Sequence, residues 1–212
     1  MTRELMDNNS HSSTQKTKQQ LINRLLQVIE QEIIPLTETG VKKGNKVFGA
    51  AILRKSDLST VIAATNNETA NPLWHGEMHA IKLLYEMPES KRPHPDKCIF
   101  LATHEPCTLC LSAITWGGYD NFYYLFSHED SRDSFRIGHD LKILKQLFKL
   151  DPGEYARENE YWKSESIRNM ISACKQSAKD EFIGKIEKIK KTYAGLSAVY
   201  QQNKGNRNII FA

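Results

Sequence analysis

Apolar residues recur every three or four positions early in the chain, at Leu21, Leu25, Val28, Ile29 and Ile33. That spacing predicts an amphipathic helix, which Pro35 is expected to end. The period then changes. "VFGAAILR" (47–54) and "STVIAATN" (59–66) are short apolar runs joined by the turn-like "KSDL", and together they predict a hairpin. Helical spacing returns in "HGEMHAIKLLYEM" (75–87), with Met78, Ile81 and Leu84 as its expected buried side and Pro88 as its stop. "KCIFLATH" (97–104) predicts a buried strand and "CTLCLSAITW" (107–116) a helix halted by Gly117 and Gly118. "NFYYLF" (121–126) predicts a fourth strand. The polar run "SHEDSRDSFRIGH" (127–139) reads as a loop, and "DLKILKQLFKL" (140–150) as a helix with Asp140 at its N-cap. After "DPGEYARENE" the chain reads as helical almost to its end, with Ile167, Met170, Ile171 and Cys174 on one face.

Strands alternating with helices through the middle of the chain predict an α/β fold. It is expected to be a three-layer α-β-α sandwich around a central mixed sheet, with a helical C-terminal extension. The boundaries read as a mobile polar tail over 1–18, a domain over 19–150 and the extension over 151–212.

Composition adds bounds. The chain has 212 residues, 40% hydrophobic and 25% charged, enough to bury a core without disulfides. Its net charge of +4 is modest for a nucleic-acid-binding surface. The densest basic run, Lys185, Lys188, Lys190 and Lys191, has the spacing of a solvated helix face. The start of the chain lacks an apolar leader, and no run approaches the roughly 18 apolar residues of a membrane span. A soluble, cytoplasmic protein with reduced cysteines is therefore expected, and there a C-x-x-C pair points to metal or redox chemistry before a structural disulfide.

Cys107 and Cys110 form such a pair at the start of a predicted helix, where unpaired backbone N–H groups favour thiolates. Alone, the pair is compatible with redox chemistry or with structural zinc. His75 offers a third ligand, also at a helix start, and both starts follow strands, so the two can meet beyond one sheet edge. Three protein ligands leave a zinc one position for water, whose pKa the metal lowers toward ~7. Glu77, two residues on, can lean over the same cavity and move a proton. A closed site with His79 as fourth ligand, and Glu77 as a bystander, is the competing arrangement. The alternative role for His79 is that of an ordinary satisfied side chain on the helix. Cys98 and Cys174 fall on apolar faces and read as core.

His75-Gly76-Glu77 followed by Pro106-Cys107-Thr108-Leu109-Cys110 matches the H-x-E…P-C-x-x-C signature of zinc nucleobase deaminases. Over roughly residues 45 to 150 the chain resembles the cytidine deaminase-like superfamily. The resemblance implies a five-stranded mixed sheet between helices. Four strands are evident, and the fifth is expected either within "RDSFRI" or replaced by helix. It further implies Zn2+ on His75, Cys107 and Cys110, with Glu77 as the catalytic proton shuttle of a hydrolytic deamination that releases ammonia.

The "HGE" triplet is similar to fungal-type cytosine deaminases, and the "EPC-x-x-C" segment to guanine and tRNA adenosine deaminases. The implied partner is a free nucleobase or nucleoside of guanine or cytosine type, with no membrane and no nucleic acid, and a homodimer is the expected assembly. Asn66, or alternatively Asn67, and Asp140 are the implied substrate contacts, and Phe48 is a candidate wall of the base pocket. Trp116 is expected to pack rather than bind. Residues 151–212 could cap the pocket, with Tyr161 and Trp162 as lid aromatics, or build a dimer surface. The competing functions are deamination of adenosine in tRNA and a non-catalytic zinc protein with this fold.

Overall fold

The computed structural model describes residues 17–151 and 154–203, so residues 1–16 of the expected tail lie outside the described residues. Residues 17 and 18 already belong to a helix, α1, which runs continuously over 17–42. Pro35 does not end it. The turn before the proline, Ile29–Ile33, is π-helical, and Ile34 N–H donates to Ile29 O. This wider turn breaks the i→i−4 ladder where proline can neither donate nor fit, so Pro35 opens the next α segment, Ile34–Lys42.

The strands are β1 (Gly49–Arg54), β2 (Thr60–Thr65), β3 (Cys98–His104), β4 (Asn121–Phe126) and β5 (Lys163–Ser166). They form one sheet in the order β2-β1-β3-β4-β5. The β1–β2 and β1–β3 pairs are antiparallel, while β3–β4 and β4–β5 are parallel. β5, "KSES", lies in the stretch expected to be helical, not in "RDSFRI". It carries no apolar residue, and its extended form rests on pairing with the edge of β4, from Asn121↔Lys163 to Tyr124↔Ser166.

Helices cover both faces. α2 (Gly76–Glu86) and α3 (Thr108–Trp116) cover one, packing on Ala50, Ile52, Phe100, Ala102 and Phe122. α1, α6 (Ile167–Ser172) and α7 (Gln176–Asn203) cover the other, on Ala51, Leu53, Ile99, Leu101 and Leu125. The period-two alternation in β1 and β3 thus feeds two apolar faces at once, as a strand covered on both sides requires. α2 buries Gly76, Glu77, Ala80 and Leu84, a stripe turned from the expected one, and leaves Met78 and Ile81 half-buried. A carboxylate therefore stands where an apolar residue was expected.

The polar run after β4 is not all loop. α4 (His128–Asp133) starts in a capping box: Ser127 Oγ accepts from Asp130 N–H and the Asp130 carboxylate accepts from Ser127 N–H. α5 (His139–Ile143) continues as a π turn, Leu144–Phe148. Its N-cap is Gly138, so Asp140 lies inside the first turn rather than at the cap. α7 buries Phe182, Ile186, Ile189, Tyr193, Ser197 and Tyr200, a stripe of helical period. Near its end Ser197 Oγ donates to Phe135 O at 2.7 Å, and Gln201 Nε2 donates to the carbonyls of Phe135 and Arg136. The loop that leads to Asp140 is thereby tied to the C-terminal helix. Among the described residues, no helix is long and apolar enough to cross a membrane.

Candidate metal centre and active site

His75 and Cys107 are the N-cap residues of α2 and α3, both in extended backbone and both with side chains unused for capping. Their carbonyls accept the first helical bonds, from His79 and Leu111 at 2.8 Å each, while the side chains are free to face one another. The two starts meet because β3 ends at His104, three residues before Cys107, and Asn66, just past β2, grips the first turn of α2. Its Oδ1 accepts from Gly76 N–H at 2.6 Å.

His75 Nδ1 lies 3.4 Å from Cys107 Sγ and 3.8 Å from Cys110 Sγ, and the sulfurs are 3.6 Å apart. A tetrahedral zinc with bonds of about 2.3 Å to sulfur and 2.0–2.1 Å to nitrogen sets S···S near 3.8 Å and S···N near 3.6 Å. The donor triangle therefore fits zinc in type and in spacing. Among the described residues His75, Cys107 and Cys110 form the one cluster able to hold a metal ion. His79 is outside it. Its Nδ1 meets Thr65 O at 2.8 Å and its ring stacks on Trp74.

Glu77 is 5% exposed, and its Oε2 accepts from the Cys110 thiol at 3.3 Å. It touches the donor triangle without belonging to it. Burial, and then the charge of Cys107, push its carboxyl up to about 7. Burial alone would lower His75, but the hydrogen bond and charge of Cys107, joined by the charges of Glu77 and Glu68, outweigh it and raise the imidazole to about 9. Cys107 is held well below the usual thiol range by its contacts with Cys110 and His75, and burial with the neighbouring Cys107 pushes Cys110 well up. A divalent cation would compete with protons for all three donors.

Asn66 is 1% exposed, and its Nδ2 donates to Glu68 Oε2 at 2.9 Å. One amide hydrogen and one carbonyl lone pair are left over. The Asp140 carboxyl lies in the field of Cys107, His75, His128 and Lys46, and burial, then Cys107, push it up to about 6. Phe48 packs in the core, its ring edge-on to His104 at 4.7 Å, and only its backbone carbonyl reaches Asn66 N–H. Trp116 is 92% exposed, so it does not pack as expected. Trp162 is no lid. It is buried against Phe122, and its Nε1–H donates to Thr115 Oγ1, while Tyr161 is exposed.

A scan against protein-family models matches residues 26–126 to the cytidine and deoxycytidylate deaminase zinc-binding region, which spans the donor triangle and Glu77. Over that stretch the chain is similar to the zinc-binding region of the cytidine and deoxycytidylate deaminases. A probable cytosine deaminase of Schizosaccharomyces pombe is 25% identical over 100 residues, 47% of this chain and 59% of that protein. A guanine deaminase of Bacillus subtilis is 30% identical over 89 residues, 41% of this chain and 54% of its own length. The chain thus spans little more than half the length of these two curated relatives. Among solved structures, a guanine deaminase from Nitrosomonas europaea aligns with 16% identity and a TM-score of 0.46, over 75% of this chain and 81% of that one.

Two clusters around this site escaped the sequence. Lys46 Nζ pairs with Glu68 Oε1 at 2.7 Å, with both side chains buried. Glu105, just before the P-C-x-x-C motif, accepts from Tyr155 O–H at 2.6 Å, Arg157 at 2.7 Å and His128 N–H at 3.0 Å. The partners of Glu105 come from α4 and from the segment after α5, so residues 155–157 anchor beside the metal cluster. The only signal for either was a charged residue beside a motif, at "NNE" and "EPC".

Proposed function

We propose that the protein deaminates a free nucleobase or nucleoside, of guanine or cytosine type, by zinc-dependent hydrolysis. The observation that carries this reading is a buried carboxyl, Glu77, beside the His75–Cys107–Cys110 triangle and outside its donor set. The similarity to a cytosine and a guanine deaminase supports the substrate class.

His75 Nδ1 and the two sulfurs would hold the metal. Zinc, when bound, supplies a water acidified enough to act as nucleophile at neutral pH. Glu77 takes a proton from the attacking water and delivers it to a ring nitrogen. It then carries the second proton to the departing amine, the C–N bond breaks, and ammonia leaves. Burial raises the Glu77 carboxyl and a bound zinc would lower it, and a carboxyl outside the donor set is free both to take and to give a proton. The spare donor and acceptor of Asn66 orient the ring edge, and the Asp140 carboxyl faces the polar edge of the base. The tie from α7 to the loop before α5 holds Asp140 in place.

The test is ammonia release by the zinc-loaded protein across guanine, cytosine, adenine and their nucleosides. Glu77→Gln should keep zinc and fold while losing about 10²- to 10⁴-fold in rate. Full activity in that variant, or no ammonia from any substrate with the wild type, contradicts the proposal.

A further inference from the structure

Beyond the donor triangle, we propose that Glu68 is a positioning residue for His75, held in place by Lys46 and Asn66. This rests on the zinc reading above. Glu68 Oε1 lies 3.8 Å from His75 Nε2, an ion-pair distance on the side of the ring away from the sulfurs. The carboxylate has little freedom. Lys46 Nζ holds Oε1 at 2.7 Å, while Asn66 Nδ2 holds Oε2 at 2.9 Å and Lys46 N–H lies 3.4 Å from it. The same Asn66 accepts from Gly76 N–H, so one network grips the backbone after His75 and faces the far nitrogen of its ring.

A buried ion pair is weak evidence for stability, because desolvation offsets much of the attraction. Placed here, however, the negative charge favours the imidazole tautomer with its proton on Nε2. That leaves the Nδ1 lone pair directed at the metal position between Cys107 and Cys110. Carboxylates that receive the second N–H of a metal-bound histidine orient the ring and raise its basicity.

Two measurements test this. The first is zinc affinity, by competition with a chromogenic chelator, for the wild type, Glu68→Gln and the double variant Lys46→Met/Glu68→Gln. The double variant removes both buried charges together, so its thermal unfolding should recover relative to the single one. Both variants are expected to bind zinc about 10- to 100-fold more weakly than wild type. A double variant that folds and keeps wild-type zinc affinity makes Glu68 a structural ion-pair partner only and overturns the proposal. The second needs no variant: imidazole ¹H–¹⁵N spectra of the zinc-loaded wild type should show a His75 Nε2–H signal in slow exchange with water. A freely exchanging or absent Nε2 proton overturns the proposal. If the wild type binds no zinc at all, the deaminase reading fails first and takes this one with it. Zinc bound alike by wild type and double variant removes only the role of Glu68.

Discussion

Glu77 and His104 are both buried, and burial moves them in opposite directions because each is pushed toward its neutral form. For Glu77 this raises the carboxyl, and that helps a proton carrier. His104 is 3% exposed among Phe48, Phe126, Phe135 and Tyr193, with Nε2 unpartnered, and burial lowers it from 6.5 to about 3. Between those two values the unfolded chain binds a proton that the folded chain refuses. Stability therefore rises with pH across the window and is lost as pH falls below about 6, at up to about 1.4 kcal/mol per pH unit from this residue. In urea unfolding at pH 7, 6 and 5, His104→Phe should keep the ring packing and show a shallower acid loss than wild type. Equal slopes would show that His104 does not carry the acid sensitivity. The triplet holding His75 and Glu77 and the pair Cys107 and Cys110 were legible because motif spacing on helix starts is local information. Glu68, Lys46 and Glu105 were not, since the path of the loops, not their neighbours in sequence, decides what a lone charge meets.

At the scale of elements, α2 and α3 act as two mounts whose first residues face each other, and the placement of α2 depends on a close backbone approach. A Cβ on Gly76 would sit 2.7 Å from Gly49 Cα and 2.9 Å from Gly49 C, against backbone that cannot yield cheaply. The glycine between His75 and Glu77 is thus required by the contact of helix with strand. Gly76→Ala should cost about 1–3 kcal/mol in urea unfolding, as overpacking in a tight site does. An unchanged midpoint would show that the approach is not tight. The four apolar strands, β1 to β4, and helices α2 and α3 could be read from periodicity. Three features could not. β5 is polar and owes its form to its neighbour, Pro35 is absorbed by a π turn, and α4 starts at a Ser-x-x-Asp box whose helix carries no apolar stripe.

Across the whole molecule, the C-terminal helices are not separate from the rest in packing. α6 and α7 complete the hydrophobic cluster that α1 begins, on the sheet face opposite α2 and α3. The metal cluster sits where β3 leads into α3 and the end of β2 meets α2. α7 is tied to the loop ahead of α5 through the carbonyls of Phe135 and Arg136. Whether His75, Cys107 and Cys110 hold one zinc with water as the fourth ligand is read most directly from zinc K-edge absorption of the purified protein. The expected result is one zinc per chain with two sulfurs at about 2.3 Å and two nitrogen or oxygen ligands at about 2.0–2.1 Å. The two sulfurs should be lost in Cys107→Ala/Cys110→Ala. A shell of four sulfurs, or a protein that takes up no zinc, would contradict it.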